Sequence, residues 1–193
     1  HVSALPERTL REEPIDFACN GEGPETIAGL LNLSESKWVI NQDLETVPGL
    51  VWWDADYKKS KVLQNSPAPV QKDLDTEFHG NVWHMLPMEK YRAHNWQCFE
   101  DLSHRQPYAS IYTTLGCPYK CVFCCINAPF GRNSYRMRTP SAVISEVDHL
   151  YTQYGVKTFK IIDEMFVLNE RHVRQICEGL SKKPYISELN FWA

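Results

Sequence analysis

"GCPYKCVFCC", residues 116–125, holds four of the chain's seven cysteines, Cys117, Cys121, Cys124 and Cys125. The stretch just before it, "YASIYTT" (108–114), is rich in β-branched and aromatic residues and reads as a strand. Downstream, Thr139 can cap a helix that has Pro140 at its first position. Val143, Ile144, Val147, Leu150, Tyr151 and Tyr154 mark one face of that helix, and Gly155 ends it. "VKTFKII" (156–162) is the next strand. Asn169 then caps a second helix, with Val173, Ile176, Cys177 and Leu180 expected on its buried face. "ISELNFW" (186–192) opens a third strand. The order β-α-β-α-β implies parallel strands joined by right-handed crossovers. Residues 107–193 fall well short of the ~250 of a complete eight-unit barrel. The fold class expected is therefore α/β, with a truncated parallel barrel.

Placement gives the cysteines their meaning. They follow the first strand, at its carboxyl end, where parallel α/β barrels carry their active sites. Thiolates are soft ligands suited to iron–sulfur clusters, zinc or Cu(I). Structural zinc sites usually draw Cys-x-x-Cys pairs from two knuckles. Here one compact run stands alone, although His94 and His104 could complete a zinc site. Buried inert thiols are the ordinary reading for Cys19 and Cys177, which fall on apolar faces. That reading suits the run poorly, because Gly116, Pro118 and Lys120 belong to a loop. A 4Fe–4S cluster takes four cysteines, so three thiols would leave one iron open for chemistry.

Upstream, "IDFACNGEGPETIAGLLNL" (15–33) reads as strand, glycine turn and helix. Ile15, Phe17 and Cys19 alternate, Gly21 and Gly23 make the turn, and Pro24 fits the first helical position. Ile27, Leu30 and Leu31 recur at helical spacing. "GLVWW" and "KVLQN" flank a polar turn and suggest a hairpin within a less regular stretch, 35–106, which reads as a structured linker. Trp52, Trp53, Trp83 and Trp96 are too many bulky apolar groups for a flexible tether.

Composition sets broad limits. With 193 residues, 43% of them hydrophobic and 23% charged, the chain can form a core. A net charge of −4 gives no nucleic-acid footprint. Neither a long apolar run nor a signal-like start is present, so neither a membrane span nor a signal peptide is expected. An odd cysteine count without a secretion signal suggests a reducing, cytoplasmic setting. His1 at the start and the strand cut short at Ala193 suggest a piece of a longer protein.

Cys117-Pro118-Tyr119-Lys120-Cys121-Val122-Phe123-Cys124 resembles the signature of radical S-adenosylmethionine enzymes, including the aromatic residue before the third cysteine. The resemblance implies a 4Fe–4S cluster on Cys117, Cys121 and Cys124. It further implies S-adenosylmethionine on the fourth iron and reductive cleavage to a 5′-deoxyadenosyl radical. Cys125 then remains a loop or core thiol. Phe123, Asp163 and Glu164 become candidate S-adenosylmethionine contacts. The "FKIIDEMF" strand end carries Asp163-Glu164 where the family often has Gly-Gly-Glu, similar to the acidic pair of cobalamin-dependent members. The competing reading is that these carboxylates only cap the turn into the next helix. Arginine binds carboxylates and phosphates bidentately, so one of Arg132, Arg136 and Arg138 could touch cofactor or substrate, but solvated loop arginines are the commoner outcome.

Residues 1–34 resemble the end of the Rossmann-like cobalamin-binding domain that precedes the barrel in one large subgroup. The Gly21-Glu22-Gly23 turn matches it, as do "GLVWWDAD" and "LPMEKY" of the linker. This implies cobalamin near Gly21 and Glu22, with the linker at 35–106 and the barrel start at 107–193. The Asp-x-His-x-x-Gly cobalt-ligand motif would lie upstream of His1. Methyl transfer to an unactivated carbon is the activity implied first. Ring formation or rearrangement on a tetrapyrrole or natural product comes second. A non-catalytic zinc or iron–sulfur module is the alternative from another class. The implied partners are a small-molecule substrate and a reductase or flavodoxin/ferredoxin-type electron donor.

Overall fold

Alternating apolar residues at 15–19 and the hairpin at 50–64 meet in one sheet. The computed structural model describes residues 2–33, 37–38, 40–54, 61–76, 82–98 and 101–193. It divides into two units: residues 1–71 with 118–134, and residues 72–117 with 135–193.

The first unit holds α1 (Pro6–Glu12), β1 (Phe17–Cys19), α2 (Pro24–Asn32), α3 (Asn41–Leu44), β2 (Leu50–Trp53) and β3 (Val62–Gln64). The strands lie in the order β1-β2-β3, all antiparallel, with Ala18 opposite Val51 and Trp52 opposite Leu63. Side chains alternate across a strand, and central β2 is apolar on both faces. Leu50 and Trp52 pack with Leu44 and Val47, while Val51 packs with Leu10 and Ala18. The strand at 17–19 and the hairpin thus belong to one antiparallel sheet. The polar turn of the hairpin, 55–60, lies outside the described residues.

The expected face of α2 is corrected. Ile27 and Leu31 are exposed, and the buried side runs through Thr26 and Leu30. Thr26 donates its hydroxyl to the Pro48 carbonyl at 2.7 Å, and Gly29 lies so close to Val47 that a Cβ there would sit 2.9 Å from it. A hydroxyl and a glycine occupy the contact, so apolar spacing alone misplaces it.

The second unit holds β4 (Tyr108–Ile111), β5 (Thr114–Leu115), β6 (Arg136–Met137), α4 (Pro140–Tyr154), β7 (Thr158–Ile161), α5 (Glu170–Ser181) and β8 (Asn190–Trp192). A parallel sheet runs β4-β7-β8, with Ser110 beside Lys160 and Lys160 beside Trp192. β5 and β6 form a separate antiparallel ladder. Thr139 caps α4 by accepting from the Ala142 N–H, Asn169 caps α5 by accepting from the His172 N–H, and Gly155 ends α4 at φ +69°. Ala109, Ile111, Phe159 and Ile161 pack against Val143, Val147, Leu150, Ile176 and Leu180.

Cys177 is exposed, contrary to its expected place on the buried face of α5, and His172 is buried instead. Positions 172, 176 and 180 repeat at one helical turn, and the imidazole reaches the Arg138 carbonyl at 2.9 Å. Among the described residues, no helix is long and apolar enough to cross a membrane.

Candidate functional site

The carboxyl ends of β4 and β7 carry a cluster of polar contacts. The ladder continues one residue past β7, where the Ile162 N–H bonds the Ile111 carbonyl at 3.0 Å. Beyond it, the next donor on the β4 side is met by a side chain. Asp163 Oδ1 accepts from the Thr113 N–H at 2.7 Å, and Oδ2 accepts from the hydroxyls of Thr113 at 2.5 Å and Thr114 at 2.9 Å. Both threonines are fully buried. Glu164 Oε2 accepts from the Gly116 N–H at 3.0 Å, one residue before Cys117. Gly116 has φ +86°, a conformation glycine adopts without steric cost. The acidic pair therefore reaches across to residues 113–116, so its role differs from a simple cap on the turn into α5.

Two tyrosines border this seam. Burial, followed by the charges of Glu164 and Asp163, pushes the Tyr112 phenol above its ordinary value. Burial also pushes Tyr135 up, with Asp163 adding to the rise and a Thr114 hydrogen bond opposing it. The Tyr135 hydroxyl donates to the Met165 carbonyl at 3.2 Å.

Arg138 corrects the solvated-arginine expectation. Its side chain is 11% exposed and paired with Glu146, whose side chain is 5% exposed. Asp75 lies 3.7 Å from its Nε. Arg138 and Glu146 help line a cavity of about 300 Å³, together with Trp83, Ile111, Tyr112 and Leu115. Glu146 belongs to no motif in the sequence. Its signal is a lone carboxylate on the apolar face set by Val143, Val147 and Leu150. Thr113 and Thr114 carry no signal in the sequence beyond their place in the β-rich stretch 108–114.

The cysteines fall in different places. Cys117 is half-buried in the second unit, whereas Cys121, Cys124 and Cys125 are exposed in the first. None of the seven cysteines is in a disulfide. A tight turn links Cys121 to Cys124, with the Cys124 N–H bonding the Cys121 carbonyl at 3.1 Å. Val122 and Phe123 between them are 103% and 90% exposed. Among the described residues, no three or more His, Cys, Asp or Glu groups are gathered as a metal site. Metal binding and local folding are coupled, so the metal itself commonly draws such ligands together. The donor chemistry fits an iron–sulfur cluster: three soft thiols within one loop, none of them in a disulfide. His104 is engaged with Asp101 at 3.3 Å, and the His94 ring packs on Trp96.

In the first unit, Gly21 has φ +140° and its carbonyl accepts from the Ser3 hydroxyl at 3.1 Å. Glu22 Oε2 accepts from the Gln71 N–H at 2.8 Å. The Gly-Glu-Gly turn is thus held by residues on both sides of it in sequence.

No protein-family model matches the chain. Over 179 residues it is 32% identical to an uncharacterized methyltransferase of Pyrococcus horikoshii, covering 91% of this chain and 34% of that protein. Over 172 residues it is 27% identical to an anaerobic magnesium-protoporphyrin IX monomethyl ester cyclase of Synechocystis, covering 89% and 30%. A cytidylyl-2-hydroxyethylphosphonate methyltransferase of Streptomyces wedmorensis is 26% identical over 198 residues, covering 91% and 35%. Among solved structures, the radical S-adenosylmethionine methyltransferase TsrM from Kitasatospora setae superposes with a TM-score of 0.61 at 21% identity. That match covers 100% of this chain and 35% of TsrM. The cobalamin-dependent S-adenosylmethionine radical enzyme OxsB gives a TM-score of 0.58 at 19% identity, covering 94% and 23%. The chain spans about a third of the length of the curated relatives it matches.

Proposed function

We propose, on the premise of its likeness to methyltransferases and cyclases and to radical S-adenosylmethionine enzyme structures, that the whole protein reductively cleaves S-adenosylmethionine for cobalamin-dependent methyl transfer to an unactivated carbon. The observation that carries this reading is the Cys117–Cys121–Cys124 run, which follows β4, the strand paired in parallel with β7, after the short β5. Those thiols would hold a 4Fe–4S cluster. Such a cluster supplies the electron that breaks the sulfonium bond, releasing methionine and a 5′-deoxyadenosyl radical.

Phe123, exposed between two of the thiols, and Glu164, beside the root of the loop, are the proposed contacts to S-adenosylmethionine. Asp163 was a third candidate, and its two oxygens already serve three donors. In this reading residues 107–193 begin the barrel, 35–106 link to it, and 1–34 close a cobalamin-binding domain. The parallel order β4-β7-β8 supports the first assignment. For Gly21 and Glu22, support for a nearby cobalamin rests on the likeness to OxsB and the domain order. Their own contacts run to Ser3 and Gln71. A small-molecule substrate and a flavodoxin- or ferredoxin-type donor complete the proposal.

The test is anaerobic reconstitution of the full-length protein. It should take up one 4Fe–4S cluster, retain cobalamin on desalting, and release 5′-deoxyadenosine with reductant and S-adenosylmethionine. A colourless zinc protein would replace the enzyme reading with that of a binding module. A cluster without cobalamin would leave radical chemistry but remove methyl transfer through cobalt. The cyclase relatives then favour ring formation.

A further inference from the structure

Every parallel strand pair must end, and its last backbone donors need partners. On the β4 side the Thr113 N–H is the first donor past the ladder, in a fully buried residue. A buried donor left without a partner costs more than an ordinary hydrogen bond contributes. Here a carboxylate from residue 163 takes the place of backbone, and it also collects two buried hydroxyls. Three donors on two oxygens nearly fill the roughly four lone-pair sites of a carboxylate. Glu164 adds the Gly116 N–H through one oxygen only. The consecutive acids therefore grip residues 113, 114 and 116, and the next residue is Cys117.

From this geometry we propose that Asp163 is a positioning residue: it clamps the root of the cysteine loop and so fixes where Cys117 enters, without touching the cofactor. The proposal rests on the iron–sulfur reading of that loop. It divides the two acids by role. A cofactor ammonium would find at most one acceptor site left on Asp163, on the oxygen that already holds the buried Thr113 N–H, whereas Glu164 has its second oxygen to offer. The residue type follows from the same count. A carboxylate accepts from an N–H and two hydroxyls at once. An asparagine would keep the N–H partner through its oxygen, and the hydroxyls could rotate to accept from its amide. An alanine would satisfy none of the three.

The experiment compares Asp163→Ala, Asp163→Asn and Thr158→Val in the full-length protein. Thr158 sits at the opposite end of β7, where its hydroxyl donates to the His104 carbonyl at 2.8 Å, so it reports general loss of strand stability. Amide hydrogen exchange of residues 112–118 is measured on cluster-free protein. Iron content and the reduced cluster's electron paramagnetic resonance spectrum, with and without S-adenosylmethionine, are measured after reconstitution. Asp163→Ala should speed exchange at 113 and 116 by about tenfold or more, the scale of losing charge-assisted hydrogen bonds. It should also lower iron content and alter the spectrum before any S-adenosylmethionine is added. Asp163→Asn should restore most of both, and Thr158→Val should change neither.

Three results would overturn the proposal. One is equal effects from Thr158→Val and Asp163→Ala. Another is wild-type exchange in Asp163→Ala. The third is a variant whose cluster is normal alone but no longer responds to S-adenosylmethionine, which would make Asp163 a cofactor ligand. If wild-type protein takes up no cluster, the enzyme reading falls with the loop's role, while the exchange data still decide whether Asp163 grips residues 113–116.

Discussion

The indole N–H of Trp83 donates to Glu146 Oε1 at 3.0 Å, joining the 3-10 turn at 83–85 to the buried face of α4. Glu146 also pairs with Arg138, so one carboxylate holds a tryptophan and a guanidinium in a nearly dry setting. Removing Glu146 leaves the buried Arg138 with only the longer contact to Asp75 at 3.7 Å to offset its charge. Glu146→Ala should destabilise the fold by about 3–5 kcal/mol. Glu146→Gln keeps an acceptor for Trp83 and should cost about 1–2 kcal/mol. Urea unfolding followed by tryptophan fluorescence checks both. Equal losses would mean that the charge contributes nothing.

Gly179 brings α5 against α4. A Cβ at 179 would sit 2.1 Å from Ile144 Cδ1 and 3.2 Å from its Cγ1. Gly179→Ala gains about 1 kcal/mol of helix propensity and meets an overpacking cost of about 1–3 kcal/mol. The single variant should be neutral to mildly destabilised. Adding Ile144→Val removes the Cδ1 that clashes, so the pair should be more stable than the separate effects add up to. A double-mutant cycle by thermal unfolding reads this coupling. Strict additivity would show that Ile144 simply rotates away.

Much of the second unit was legible because its signals are local. Thr139, Asn169 and Gly155 announce helix ends through chemistry each carries alone, and the stripe on α4 needs only its own spacing. The position of the cysteines after a strand was legible for the same reason. What escaped depends on partners far along the chain. Nothing near Phe17 reveals that it pairs with Trp52, which makes β1 part of the hairpin's sheet. The buried side of α2 follows Thr26 because Pro48 offers it a carbonyl, and α5 buries His172 because Arg138 does the same. The clamp on Thr113 requires two strand ends to be adjacent, which periodicity does not report.

Tyr112 supplies a pH prediction. Burial and the charges of Glu164 and Asp163 hold its phenol above the ordinary value. Folded protein thus keeps this proton to higher pH than the unfolded chain, whose tyrosines titrate near ~10. The resulting stability is fully present below that pH and is lost as pH rises through the folded value. Tyrosinate absorbance should show a late-titrating component that vanishes in Tyr112→Phe, together with part of the alkaline stability loss. An unchanged titration in Tyr112→Phe would assign the late proton to another group such as Tyr135.

Thiol accessibility gives a test that separates the cysteines one by one. Cys98 is fully buried, whereas Cys121, Cys124, Cys125 and Cys177 are exposed and Cys117 is half-buried. In cluster-free native protein, a brief pulse of iodoacetamide should label the four exposed thiols first, Cys117 more slowly, and Cys98 only on unfolding. Peptide mass spectrometry reads each site. After anaerobic reconstitution the proposed ligands become metal-bound thiolates and lose their reactivity, so Cys117, Cys121 and Cys124 should be protected. Cys125 and Cys177 should keep reacting at their earlier rates, and Cys177 serves as an internal control because it lies on α5. Adjacent Cys124 and Cys125 are both exposed in the same loop, so a change in their relative labelling on reconstitution reports coordination. Protection of Cys125 with continued labelling of Cys124 would reassign the third ligand. Cys125→Ala should then lose the iron that Cys124→Ala retains, the reverse of the outcome expected here.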